Sequence, residues 1–225
     1  MTQILITNDD GIHSPGITAL ESVLGEIGHV TVVAPDRERS ATSHGITLDQ
    51  PLKYHRVAPN RIAVEGTPAD CVIAALSVFK FSPALLISGI NRGHNLGCDV
   101  LYSGTVAAAS EAALQGLPAI AISAHALSDV KSAAQVAMRV AAQVLEQGLP
   151  PDVILNVNYP LEWNGQFRVT RQGRRAIEPL TDYEALSQGY VSISPLQINR
   201  TAHMHFGHFT RWTEKLQVAA GKMGL

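Results

Sequence analysis

Residues 4–11, Ile4-Leu5-Ile6-Thr7-Asn8-Asp9-Asp10-Gly11, decide the fold. The apolar run Ile4-Leu5-Ile6, continued by the β-branched Thr7, suits a strand over residues 4–7 covered on both faces. It stops abruptly at an amide and two carboxylates, and Gly11 then permits a sharp turn. Behind it, residues 15–27 set Ile17, Leu20, Val23, Leu24 and Ile27 on one helical face. A second apolar strand follows over residues 30–34.

The same alternation continues along the chain. Strands are expected over residues 85–88, 119–123 and 153–157. Helices are expected over residues 68–79, where Pro68 opens the segment, and over 105–115 and 128–146. Strands alternating with helices make a parallel sheet with helices on both faces, joined by right-handed crossovers. From about Pro160 the pattern changes. Residues 167–170 and 190–194 alternate like half-exposed strands, and residues 210–222 suit a terminal helix. The expected organisation is one α/β domain over residues 1–225, with a core over about 1–160 and a smaller C-terminal β/helix extension over 161–225.

Composition excludes several classes. With 17 basic against 19 acidic residues, the chain has no cationic excess for binding nucleic-acid polymers. No apolar run is long enough for a bilayer span, and no secretory leader opens the sequence. Cys71 and Cys98 do not form a disulfide framework, so a reduced, cytoplasmic protein is expected. Neither a G-x-G-x-x-G fingerprint, a Walker A loop, a G-x-S-x-G elbow nor a zinc pattern is present.

In an open α/β sheet, ligands bind at the carboxyl ends of the strands. The first strand delivers Asp9 and Asp10, which repel one another unless a cation or a proton relieves them. The second delivers Asp36-Arg37-Glu38-Arg39-Ser40 and a hydroxyl-rich loop to Thr47, with guanidinium groups suited to phosphate. The strand over 85–88 runs into Gly89-Ile90-Asn91-Arg92-Gly93-His94-Asn95-Leu96-Gly97. Its glycines leave backbone amides free to face an anion. Tyr102-Ser103-Gly104-Thr105-Val106 then opens a small-residue helix, capped by Ser103 or Thr105, at which a phosphate can sit. Thr67 and Asp70 suit a helix cap, and Glu111 faces either the site or solvent. His203, His205 and His208 have a metal-like spacing, but with Met204 and Phe206 between them they suit a subunit contact better.

Taken in order, these segments resemble the stationary-phase survival protein (SurE) family of metal-dependent 5′-nucleotidases. The resemblance extends through Gly66-Thr67-Pro68-Ala69-Asp70-Cys71-Val72, Leu155-Asn156-Val157-Asn158, Thr170-Arg171 and Gly189-Tyr190-Val191-Ser192-Ile193-Ser194-Pro195-Leu196. It implies a Rossmann-like core and hydrolysis of nucleoside 5′-monophosphates, often also 3′-monophosphates. It implies one divalent ion per subunit, Mg²⁺ or Mn²⁺, on Asp9, Asp10, Ser40 and Asn91. Asn95, Ser103, Gly104 and Thr105 match the phosphate-contacting segment. Asp9 and Asp10 are the catalytic candidates, either through the cation and a water or by direct carboxylate attack.

Two departures stand out. Gly45 replaces a second serine of the loop, which loosens phosphate or substrate contacts there. Only about 17 residues, 172–188, replace an extended hairpin that family members use in tetramer assembly. The expected assembly is therefore a homodimer through the C-terminal segment. Rival readings fare worse. A phosphorylated receiver needs a central Asp and a later Lys, where this chain has Asn91 and Ser123. A haloacid-dehalogenase-like site wants Asp-x-Asp, whereas adjacent aspartates point differently. A degenerate, nucleotide-binding relative without turnover is the remaining alternative.

Overall fold

The computed structural model describes residues 2–173 and 179–200. The first apolar run forms β1 (Gln3–Thr7), and α1 (Pro15–Leu24) returns the chain to β2 (His29–Pro35), parallel to β1. Ser14 caps α1 by accepting from the Ile17 amide. The helix stops at Leu24, three residues short of the expected end, and Ile27 packs on the core from the turn that follows.

A hairpin comes next, β3 (Tyr54–Ala58) with β4 (Arg61–Val64), and β4 joins β2 in parallel. Sequence patterning missed both strands. The side chains of β3 are mostly exposed at the sheet edge, so it lacks an apolar signature. Then α2 (Pro68–Ile73) opens with a capping box in which Thr67 and Asp70 satisfy each other's backbone amides. The turn widens to π-type geometry over Ala74–Val78, so the helix expected over 68–79 is one stretch in two geometries.

β5 (Leu85–Arg92) lies beside β1 on the side away from β2 and runs four residues further than expected. Its register slips between Ser88 and Asn91. Gly89 makes the slip possible: it has φ +140°, and a Cβ there would stand 2.2 Å from the Ile122 carbonyl oxygen. A short 3-10 turn, Gly97–Leu101, leads to α3 (Gly104–Leu114), β6 (Ala119–Ala124), α4 (Val130–Gln147) and β7 (Val153–Tyr159). The extension adds β8 (Phe167–Val169), α5 (Asp182–Ser187) and β9 (Val191–Gln197). Helix α5 was missed, although Thr181 and Glu184 carry a capping signature.

Among the described residues one nine-stranded sheet results, in the order β3-β4-β2-β1-β5-β6-β7-β9-β8. Six central strands are parallel; β3 and β9 pair antiparallel to their neighbours β4 and β7. Alternate β1 side chains serve opposite layers. Ile4 and Ile6 pack with α1 and α4, while Leu5 packs with α2 and α3. The chain is thus the expected three-layer α/β fold. Strand order reverses between β1 and β5, which opens a crevice at their carboxyl ends. Among the described residues no helix is long and apolar enough to cross a membrane. The expected helix over 210–222 and His203, His205 and His208 lie outside the described residues.

Candidate active site

The crevice between β1 and β5 holds a cavity of about 1000 Å³. Six of the eight residues singled out from sequence line it: Asp9, Asp10, Ser40, Asn91, Asn95 and Ser103. Gly104 and Thr105 stand behind them. Thr105 is fully buried, and its Oγ1 donates to Asp9 Oδ1 at 2.5 Å. A Cβ on Gly104 would stand 3.0 Å from the Asp9 Cβ, so the small residue lets α3 approach the carboxylate closely.

The turn after β1 is built by Asn8, which is buried. Its amide nitrogen donates to the Gly11 carbonyl and to Ser14 Oγ, and its oxygen accepts from the Gly11 amide. Gly11 has φ +94°, and a Cβ there would press on the Arg37 backbone at 2.9 Å. The Arg39 amide also donates to the Asp9 carbonyl at 2.7 Å. The first turn and the loop after β2 are therefore one backbone assembly.

Burial pushes the Asp9 carboxyl upward, and the Thr105 hydrogen bond opposes that rise. Burial, then the neighbouring Asp9 charge, raises Asp10 to about 6. Among the described residues neither carboxylate forms an ion pair. Their charge is left for something that enters the cavity.

Other polar ends are already partly assigned. Ser40 Oγ donates to Glu38 Oε1 at 2.6 Å, which leaves its oxygen lone pairs available. The Asn91 amide nitrogen donates to the Gly93 carbonyl at 2.8 Å, so the oxygen is the free end of that amide. Ser103 caps α3 by accepting from the Val106 amide at 3.1 Å. Asn95 Nδ2 donates to Ser123 Oγ at 2.7 Å, and the Asn95 backbone is held by Asn156 and Asn158. Asn156 and Asn158 fall within a family segment and Ser123 at a strand end, but nothing in the sequence assigned any of them a role. Their signal was polar residues inside strands that are otherwise apolar.

Several other expectations resolve away from the cavity. Arg39 turns to Asp36 at 3.0 Å, whereas Arg37 lines the cavity wall. Asp70 accepts from the amide and hydroxyl of Thr47, which anchors the loop after β2. Glu111 faces neither the site nor open solvent: it pairs with His44 Nε2 at 3.0 Å, and that bond holds its carboxyl below the ordinary range. Gly45 is exposed, accepts from the Thr67 hydroxyl, and does not line the cavity. His94 and His125 do line it, with ring centroids 5.6 Å apart.

The loop carrying Asn95 is also gripped from the extension. The Gly97 amide donates to the buried Asp182 carboxylate at 2.8 Å, and Gln172 donates to the Gly97 carbonyl.

The family model described as survival protein SurE matches residues 4–179. The chain belongs to the SurE family. A 5′-nucleotidase SurE of Pelobacter propionicus is 45% identical, covering 93% of this chain and 98% of the relative. One of Alkalilimnicola ehrlichii is 41% identical over 96% of this chain and 97% of its own. The crystal structure of a SurE protein from Aquifex aeolicus superposes with a TM-score of 0.88 at 36% identity, covering 94% of this chain and 99% of that one. The SurE resemblance read from the motifs and the α/β fold is thereby borne out.

Proposed function

We propose that this chain is a metal-dependent 5′-nucleotidase, hydrolysing nucleoside 5′-monophosphates, and 3′-monophosphates as well, to nucleoside and phosphate. The observation that carries the reading is the adjacent pair of carboxylates, buried Asp9 and half-buried Asp10, in the switch-point crevice with no ion-pair partner among the described residues. Relatives that match over nearly their whole length bear the name 5′-nucleotidase SurE, which supports the same reaction.

The donor set fits one hard divalent cation, Mg²⁺ or Mn²⁺. Asp9 and Asp10 supply two carboxylates, Ser40 a hydroxyl oxygen whose hydrogen points to Glu38, and Asn91 the oxygen of its side-chain amide. Among the described residues no cluster of three His, Cys, Asp or Glu exists, so oxygen donors of mixed type are what the site offers. Such a cation supplies charge neutralisation for the phosphate and lowers the pKa of a bound water.

The chain's own residues do the rest. Asn95 offers its second amide hydrogen to a phosphate oxygen, the first being spent on Ser123. Ser103 and the first amides of α3, at Gly104 and Thr105, bring the positive end of a helix to the same place. Thr105 steadies Asp9 from behind. Asn95, Ser103 and Thr105 are themselves buried, which strengthens the hydrogen bonds they make. With both aspartates assigned to the cation, and Asp9 Oδ1 also held by Thr105, the nucleophile in this reading is water. Label from ¹⁸O-water then appears in the released phosphate and never in the protein.

Free Cys71 and Cys98 support a reduced, cytoplasmic setting, and the short 172–188 connection supports a homodimer. The deciding experiment is phosphate release from a panel of nucleoside 5′- and 3′-monophosphates with Mn²⁺, Mg²⁺ or EDTA. Metal-dependent release that Asp9→Asn abolishes is the expected outcome. Tight nucleotide binding without release, from folded and metal-loaded protein, would leave a binding protein instead.

A further inference from the structure

Strands β6 and β7 lie inside the parallel sheet, where apolar side chains are the rule. Three polar residues break that rule: Ser123 and Asn158 near the carboxyl ends, and Asn156 in the middle of β7. All three are fully buried. All three spend hydrogen bonds on one residue, Asn95. The Asn158 oxygen accepts from the Asn95 amide at 2.9 Å, and its nitrogen donates to the Asn95 carbonyl at 3.2 Å. Asn156 Nδ2 donates to the same carbonyl at 2.8 Å, which fills both of its lone pairs. Ser123 Oγ accepts from the Asn95 side chain.

The Asn156 amide shows that this arrangement is not simply good packing. Among the described residues its Oδ1 accepts no hydrogen bond, although it is buried. A buried carbonyl without a partner is unfavourable, and an apolar side chain of similar shape would avoid it. What the asparagine contributes in return is its other end, the donor to Asn95.

We infer that Asn158, together with Asn156 and Ser123, forms a set of positioning residues that fixes Asn95 for phosphate binding. None of the three lines the cavity, so they act only through Asn95. Asn158 mimics a neighbouring strand by engaging both backbone groups of a loop residue. It thereby extends sheet-like rigidity into a Gly-rich segment that would otherwise move. The inference rests on the phosphatase reading for the role given to Asn95, yet its test does not need turnover.

The test is a double-mutant cycle read by calorimetric titration of inorganic phosphate into Mn²⁺-loaded protein, for wild type, Asn95→Ala, Asn158→Ala and the pair. Asn158→Ala alone is expected to weaken phosphate binding about tenfold, the scale of one lost hydrogen bond. In the Asn95→Ala background the same change should add nothing, because its only route to the ligand is gone. A residue with a merely structural role would weaken binding equally in both backgrounds. Equal or absent effects overturn the inference, as does a wild type that binds no phosphate. Ser123→Ala, which removes a single oxygen, provides the same cycle if Asn158→Ala does not fold. Phosphate release from nucleoside monophosphates is measured on the wild type alongside. Its absence would sink the phosphatase reading, while the binding cycle would still decide the positioning of Asn95.

Discussion

Thr105 Oγ1 lies 2.5 Å from Asp9 Oδ1, joining the first turn of α3 to the end of β1 across 96 residues of sequence. The hydroxyl is fully buried and makes Asp9 its partner, so it orients the carboxylate instead of facing substrate. Thr105→Val keeps the shape and removes the donor. Loss of a buried hydrogen bond to a charged acceptor is expected to cost about 1.5–3 kcal/mol of stability and to lower kcat at least tenfold. Thr105→Ser should retain most of both. Thermal melts and steady-state kinetics on the pair of variants check this.

Asp10 gives a pH prediction. Its folded-state pKa, about 6, stands above the ordinary 3.8. Between those values the metal-free folded chain holds a proton that the unfolded chain has lost, so this group's contribution to stability grows as pH falls from 6 toward 4. A divalent cation competes with that proton. The Tm increase produced by Mn²⁺ should therefore shrink as pH falls below about 6, and Asp10→Asn should abolish most of the increase at every pH. Melting scans between pH 4 and 8, with and without Mn²⁺, provide the check.

His94 runs the other way. Burial holds its pKa below 6.5, and its Nε2 hydrogen is given to the Tyr159 carbonyl at 2.7 Å. Below pH 6.5 the unfolded chain takes up a proton that the folded chain refuses, so stability falls as pH drops through that value. His94→Gln should flatten this part of the profile. Urea unfolding at a series of pH values from 5 to 8 reads it directly.

Gly16 tests the seating of α1. A Cβ there would stand 2.3 Å from the Ile90 carbonyl oxygen, so Gly16→Ala must push the helix off β5. Helix propensity alone favours alanine by about 1 kcal/mol, but the clash should win and leave a net loss of about 1–3 kcal/mol. Because Asn91 directly follows Ile90, metal affinity should fall as well. Chemical denaturation and Mn²⁺ titration measure the two effects.

Much of this was legible in the sequence because the central strands obey a simple rule. The runs beginning at Ile4, Val30, Leu85, Ala119 and Val153 are mostly apolar, with one polar residue each, and each became a parallel strand. The strand-end rule pointed to the segments that carry Asp9, Asp10, Ser40, Asn91, Asn95 and Ser103, the family resemblance singled these residues out, and they do line one cavity. What escaped depends on long-range partners. The edge strand β3 has almost no buried face to leave a pattern. Thr105 resembles any hydroxyl at a helix start until Asp9 is seen beside it. Asn158 has no visible role in its segment until folding brings Asn95 within 2.9 Å, 63 positions away.

The Asp182 carboxylate has a consequence for the order in which the molecule is made. The Gly97 amide finds its partner 85 residues later, and Asp182 binds the Gly173 and Tyr183 amides in the same grip. A nascent chain that has left the ribosome only as far as residue 160 already contains every parallel strand from β1 to β7. It already holds Asn95 through Ser123, Asn156 and Asn158, but it has no acceptor for the Gly97 amide two residues on. Synthesis therefore delivers the sheet and the anchored Asn95 first and the clasp on Gly97 last, so the protein is born folded in outline before the far side of that loop is fastened.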